Sequence, residues 1–180
     1  MPGKGSKKLL EIAQGIKLLI LDVDGVLTDG GIILDNEGNE FKTFHVRDGH
    51  GIKMLLKAGI VVALITGRYS KVVERRASEL GITEVYQRCF DKRIAFQQLI
   101  EKYSVDPKKI AYVGDDIVDI PLLKKSGLSI AVADADEEAK AAAMMVTKNR
   151  GGSGAAREVC DLLLKAKGLW KGILDEYSQS

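Results

Sequence analysis

The chain has only two cysteines, Cys89 and Cys160, and they lack C-x-x-C spacing. This excludes a disulfide framework and a cysteine zinc site, and predicts reduced thiols in a cytosolic protein. Charge of one sign is lacking as well. Against 27 Lys and Arg stand 25 Asp and Glu, a net of +2. Nucleic-acid surfaces usually carry a strong basic excess, so no nucleic-acid partner is expected, and Lys4, Lys7 and Lys8 read as a solvated end. Long apolar runs are missing too. The longest, Ala58 to Gly67, is about ten residues, half of what crosses a bilayer. No early stretch resembles a signal peptide, so a cytoplasmic location and no membrane partner are expected. Repeats, low-complexity tracts and linkers are absent.

What remains is a 180-residue chain with 46% hydrophobic and 29% charged residues. That composition excludes a disordered chain, and the length predicts one domain over 1–180 with a full core. The core is expected from about residue 16 to 166, a hairpin over about 31–46, and a tail over 167–180. Residues 1–6 should fray, and a short helix should cover Lys7 to Gln14. Compact apolar runs predict buried strands at 16–21, 60–65, 110–113, 128–132 and 144–147, with a short strand at 84–86. Helical spacing or caps predict helices at 49–57, 70–80 and 92–103, after Asp116 through Ser126, and from Gly154 through Ala166. Asp48 is read as the cap of the first of these. Gly31–Asp35 and Glu40–Val46, flanking a Gly-bearing turn, predict the hairpin. Strands alternating with helices give an α/β fold with a parallel sheet flanked by helices.

In such sheets ligands bind beyond the carboxyl ends of the strands. The first buried run ends in Asp22 and Asp24, the second in Thr66-Gly67-Arg68, and the third in Asp115 and Asp116, with Asp119 one turn further. If Asp22 and Asp24 continue the strand, they share a face and repel, which calls for a cation or a shared proton. Oxygen ligands in this number favour magnesium. A lone Asp after a strand is ordinarily a helix cap, but capping does not require D-x-D at one end and paired acids at another. A calcium loop fails, because Val26 and Leu27 fall where an acid or amide and a Gly are needed. Gly151–Gly154 is either a phosphate cradle at a helix start or a plain turn.

These residues carry a resemblance. Asp22-Val23-Asp24-Gly25-Val26-Leu27-Thr28-Asp29-Gly30, Thr66-Gly67-Arg68, Lys92, and Gly114-Asp115-Asp116 with Asp119 resemble the four motifs of the haloacid dehalogenase superfamily, in order, over about residues 16–165. The stretches His45–Gly49, Val132–Ala135 and Gly152–Cys160 are similar to a capless branch of phosphatases acting on phosphorylated 2-keto sugar acids. The resemblance implies an aspartyl-phosphate route. Asp22 is then the nucleophile, and Asp24 the general acid and base. Thr66 and Lys92 bind and neutralise the phosphoryl group. Magnesium sits on Asp22, the backbone carbonyl of Asp24, and Asp115, with Asp116 and Asp119 behind them. For the sugar it implies Asp24, His45, Val46, Arg47, Asp48, Gly49, Lys53, Gly67, Arg68, Arg76 and Lys92. Arg47 and Arg68 suit a carboxylate, which guanidinium binds bidentately. Lys53 departs from the arginine expected there, keeping the charge without the fork.

The segments between the motifs are already used by the predicted hairpin, helices and strands, so no cap domain fits. Hairpin edges are rarely left bare. A neighbouring subunit is therefore expected to lid the site, and the resemblance implies a homotetramer. In the tail, Leu169, Trp170, Ile173, Leu174 and Tyr177 make an apolar helical stripe, seated either on its own core or at a neighbour's site. The implied activity is release of phosphate from an eight-carbon sugar-acid 8-phosphate destined for lipopolysaccharide. The alternatives are a nine-carbon sialic-acid-type 9-phosphate or a non-catalytic domain of the same fold.

Overall fold

Leu18–Leu21 (β1) is Leu-Leu-Ile-Leu, and no residue of it is more than 1% exposed. A strand this apolar on both faces needs cover on both sides, which only a central position provides. The structure, a computed structural model, describes residues 4–178 and puts β1 there. The other strands of the sheet are Val61–Ile65 (β4), Glu84–Tyr86 (β5), Ile110–Gly114 (β6), Leu128–Ala131 (β7) and Met145–Val146 (β8). All pair in parallel, in the order β5-β4-β1-β6-β7-β8. Ile33–Leu34 (β2) and Glu40–Phe41 (β3) form a separate antiparallel pair.

The helices are Lys4–Gly15 (α1), Val46–Lys57 (α2), Lys71–Leu80 (α3), Lys92–Tyr103 (α4), Ile120–Lys125 (α5), Glu137–Ala142 (α6), Ala155–Ala166 (α7) and Trp170–Ser178 (α8). α2 packs on α7 and α7 on α1, while α5 packs on α4 and α6, so two helix groups flank the sheet. From β1 the chain steps outward to β4 and β5, then crosses back to place β6 on the other side of β1. This reversal opens a crevice at the carboxyl ends of β1, β4 and β6, where the acidic motifs lie.

Several elements differ from the sequence expectation. Residues 1–3, expected to fray, lie outside the described residues, and α1 starts at Lys4 rather than Lys7. The hairpin keeps its turn but shrinks to two residues per strand, because Val46 enters α2 with His45 as its N-cap. Asp48 therefore does not cap α2. It is buried in the first turn, and its carboxylate accepts from the amides of Gly154 and Arg157, at 3.3 and 2.7 Å. It caps α7 across the molecule instead. The helix after Asp116 is split into a 3-10 turn, Ile117–Asp119, and α5. The short helix α6 carried no apolar periodicity to reveal it.

α8 is seated on its own chain. Trp170 and Ile173 pack against the core, Lys57 pairs with Glu176 at 2.5 Å, and the His50 and Tyr177 rings meet edge to face at 5.6 Å. Residues 179–180 of the tail lie outside the described residues. Both cysteines are free thiols, and no helix among the described residues is long and apolar enough to cross a membrane.

Candidate active site

β1 ends at Leu21, so Asp22 and Asp24 lie on a turn rather than a strand. The Asp22 amide still donates to Val113 O at 3.0 Å, which ties it to β6. The Val23 carbonyl then accepts the amides of Val26, Leu27 and Thr28, at 3.2, 2.9 and 3.1 Å. This knot turns the chain sharply at Gly25, whose φ is +88°. A Cβ on Gly25 would also stand 2.0 Å from Asp115 Oδ2, so the glycine lets that carboxylate lie over the turn.

The turn gives the two acids separate partners, contrary to the expectation of a repelling pair. Asp22 is 6% exposed, and its Oδ2 lies 2.9 Å from Lys92 Nζ. Asp24 has cationic partners of its own. It pairs with Lys42, and Arg68 Nε approaches it at 3.8 Å. Lys42 and Arg68 also reach Glu40, at 3.4 and 3.2 Å, so the hairpin strand β3 and the end of β4 clamp Asp24 between two cations. Lys42 was not legible in the sequence. A lysine in a hairpin reads as solvated, yet its side chain is 1% exposed.

Lys92 opens α4, which Asp91 caps. Its ammonium is buried, donating to Asp119 Oδ1 at 2.6 Å and pairing with Asp22. Burial alone would lower its pKa, but Asp22 and Asp119 outweigh that and raise it. Thr66 follows β4, buried, with its hydroxyl accepting the Arg68 amide at 3.4 Å. Its neighbour Gly67 has the Cys89 carbonyl 3.9 Å from where a Cβ would be.

Asp22, Asp115 and Asp119 offer carboxylate oxygens all within 4.8 Å of one another. Three carboxylates around one lysine are under-neutralised. Burial, only partly offset by Lys92, raises Asp22 to about 6. Burial, followed by Asp22 and Asp119, raises Asp115 to about 8. Oxygen-only donors with this excess of negative charge fit a hard divalent cation. Asp119 is not free to ligate one. Its Oδ1 accepts from Lys92 and Tyr112, both at 2.6 Å, and its Oδ2 from the amides of Asp115 and Asp116, at 2.9 and 3.2 Å. Asp22 and Asp115 retain open carboxylate oxygens. Asp116 is exposed, and its carboxylate accepts from the Ile117 amide at 2.7 Å.

The Gly-rich loop is not a phosphate cradle. Its amides are already bonded: Gly151 to Asp134 at 2.9 Å, Gly152 to Val26 O at 2.9 Å, Ser153 to Arg150 O at 3.1 Å, and Gly154 to Asp48. A Cβ on Gly151 would lie 1.7 Å from Gly25 O, so the loop braces the turn carrying Asp22 and Asp24.

Of the residues expected to read the sugar, Arg68 lies beside Asp24, Gly67 follows Thr66 and Lys92 opens α4, while His45, Val46, Arg47, Asp48, Gly49, Lys53 and Arg76 belong to the flank of α2 and α3. His45 and Arg47 line a cavity of about 640 Å³ with Ser153, Gly154, Arg157 and Lys165. The His45 Nδ1 is buried without a hydrogen-bond partner among the described residues. Val46 and Arg76 line another of about 260 Å³, where Arg76 lies over the Phe44 ring at 5.7 Å. Arg76 lies close over Gly49, its Nη2 2.4 Å from where a Cβ would be. Lys53 is exposed on α2.

Residues 69–159 match the model of the haloacid dehalogenase-like hydrolases. The chain is 53% identical over 166 residues to 3-deoxy-D-manno-octulosonate 8-phosphate phosphatase of Escherichia coli K12, covering 92% of this chain and 88% of that protein. The crystal structure of the phosphatase of that name from Yersinia pestis superposes with a TM-score of 0.90 at 48% identity, covering 91% of this chain and 89% of that one. The Moraxella catarrhalis phosphatase, solved with magnesium, phosphate and KDO, gives 0.93 at 40% identity, covering 95% and 98%.

Proposed function

The chain belongs to the haloacid dehalogenase-like hydrolases, and from that premise we infer that it is a magnesium-dependent phosphomonoesterase releasing phosphate from 3-deoxy-D-manno-octulosonate 8-phosphate, a step toward lipopolysaccharide. The carrying observation is 53% identity to a phosphatase of that substrate over 92% of the chain. The acid cluster at the sheet's carboxyl end supports the chemistry. Asp22, ionised, attacks phosphorus as the bond to the sugar oxygen breaks, and Asp24 gives its proton to that oxygen. Asp24 then takes a proton from the water that attacks the aspartyl-phosphate, which frees phosphate and restores Asp22. Lys92 and the Thr66 hydroxyl hold the phosphoryl oxygens, and Lys42 with Arg68 orients the Asp24 carboxyl group through its acid and base steps. Asp22 and Asp115, with the Asp24 carbonyl, would hold magnesium. Its charge favours the ionised carboxylates and offsets repulsion between nucleophile and phosphate.

The test is phosphate release from a panel: the eight-carbon 8-phosphate, a nine-carbon sialic-acid-type 9-phosphate, and glucose 6-phosphate, each with and without chelator. The eight-carbon substrate should lead in kcat/KM by about a hundredfold or more over the hexose phosphate, since sites built to pair polar groups reject analogues lacking them. A preference for the nine-carbon substrate would move the assignment, and silence on all three would overturn it.

We place the enzyme in the cytoplasm, where its two free thiols persist, and give it a neighbouring subunit as lid, in a homotetramer. Ile32, Ile33, Leu34 and Phe41 of the hairpin are each more than half exposed, an apolar surface of the kind that marks an interface. The sugar-reading candidates on α2 and α3 are then available to a neighbour's site. Phe41→Asp with Ile33→Asp should break the assembly on a sedimentation run and cut kcat/KM by roughly tenfold or more as water enters the site. A monomeric variant with full activity would refute the lid.

A further inference from the structure

We propose that Tyr112 is a positioning residue for phosphoryl transfer, holding the Asp119 carboxylate so that the Lys92 ammonium is shared between Asp119 and Asp22. The proposal rests on the phosphatase reading above. Tyr112 lies on β6 with 0% exposure, among the largest fully buried side chains of the molecule. Its register partners on the neighbouring strands are Ile20 and Ser129, and a phenylalanine would occupy nearly the same space. The hydroxyl is therefore surplus to packing, and burying it requires a partner. That partner is Asp119 Oδ1, at 2.6 Å.

The bond completes a closed set. A carboxylate has about four acceptor positions. Those of Asp119 are taken by Tyr112, Lys92 and the amides of Asp115 and Asp116. The carboxylate cannot rotate without breaking bonds on both oxygens. Lys92 has three donors; Asp119 and Asp22 use two, which leaves one for a phosphoryl oxygen. Tyr112 also draws electron density from the oxygen that holds Lys92. Without it, Asp119 Oδ1 would bind the ammonium more tightly and pull it from Asp22 and the transferring group. Lys92 matters to the charge that develops during transfer, so the loss should fall on kcat rather than on KM.

The test uses the full-length protein, loaded with magnesium, on 3-deoxy-D-manno-octulosonate 8-phosphate. Tyr112→Phe should lower kcat roughly tenfold and leave KM within about twofold. In a Lys92→Ala background the same change should cost nothing further, because its effect passes through Lys92. A kcat within twofold of wild type overturns the proposal whatever happens to thermal stability. So does an equal loss in both backgrounds, which marks a merely structural hydroxyl. The wild-type arm reports on the phosphatase reading separately. A crystal structure of Tyr112→Phe tests the positioning independently of turnover: Lys92 displaced from Asp22 supports it, and an unmoved pair overturns it.

Discussion

Asp22→Asn is expected to stop turnover, lowering kcat by about 10⁴-fold or more, with the protein still folded. An amide oxygen is a poor nucleophile toward phosphorus, and removing the attacking group of a hydrolase costs up to about 10⁶ in kcat. Asn keeps the size of Asp at a site only 6% exposed, and Lys92 keeps its bond to Asp119. Asp115 is raised first by burial and then by the Asp22 charge, and the variant removes that charge, so its metal-free melting temperature should not fall. Phosphate release and intact-mass detection of a phosphorylated chain check the claim together. Wild type quenched during turnover should carry one added phosphate, and Asp22→Asn none. Turnover within tenfold of wild type would move the nucleophile elsewhere.

Why Asp22 could be found in the sequence, while Lys42 could not, is a matter of interaction range. The buried strands announced themselves as apolar runs, and their carboxyl ends are local in sequence, so the acids there were legible once a parallel sheet was inferred. The strand order was not legible, since it depends on pairings between segments far apart. Lys42 and Tyr112 depend on such contacts entirely. One is a lysine in a hairpin, the other a tyrosine in an apolar strand, and only the meeting of β3 with the Asp22–Asp24 turn, or of β6 with Asp119, gives either a role. Asp48 is the reverse case. Its local signal, an acid before a helix, was real, but the helix it caps is α7, more than a hundred residues away. The Gly151–Gly154 loop stayed open between a cradle and a plain turn, since free amides and bonded amides look alike in sequence.

Chelation should abolish turnover and also expose a pH-dependent loss of stability. Without a cation, Asp22 lies at about 6 and Asp115 at about 8, both raised first by burial and then by neighbouring carboxylates. Unfolded, each returns to about 3.9. The folded chain thus binds more protons than the unfolded one across that window. Stability from these groups is fully present below about pH 4 and is lost as the pH rises through 6 and 8. The two acids titrate as a coupled pair, so the loss should be one broad decline rather than two steps. Magnesium binds the ionised pair and must displace protons at low pH, which makes its affinity rise over the same range. At pH 8, with magnesium about a hundredfold above its dissociation constant, linkage gives about 2.7 kcal/mol. For a chain of this length that raises the melting temperature by roughly 5–10 °C. At pH 5 the gain at the same magnesium concentration should be much smaller. Differential scanning calorimetry across pH, with magnesium or with EDTA, reads this directly. An equal gain at both pH values, or turnover that persists in EDTA, would mean that Asp22 and Asp115 are not the groups that hold the cation.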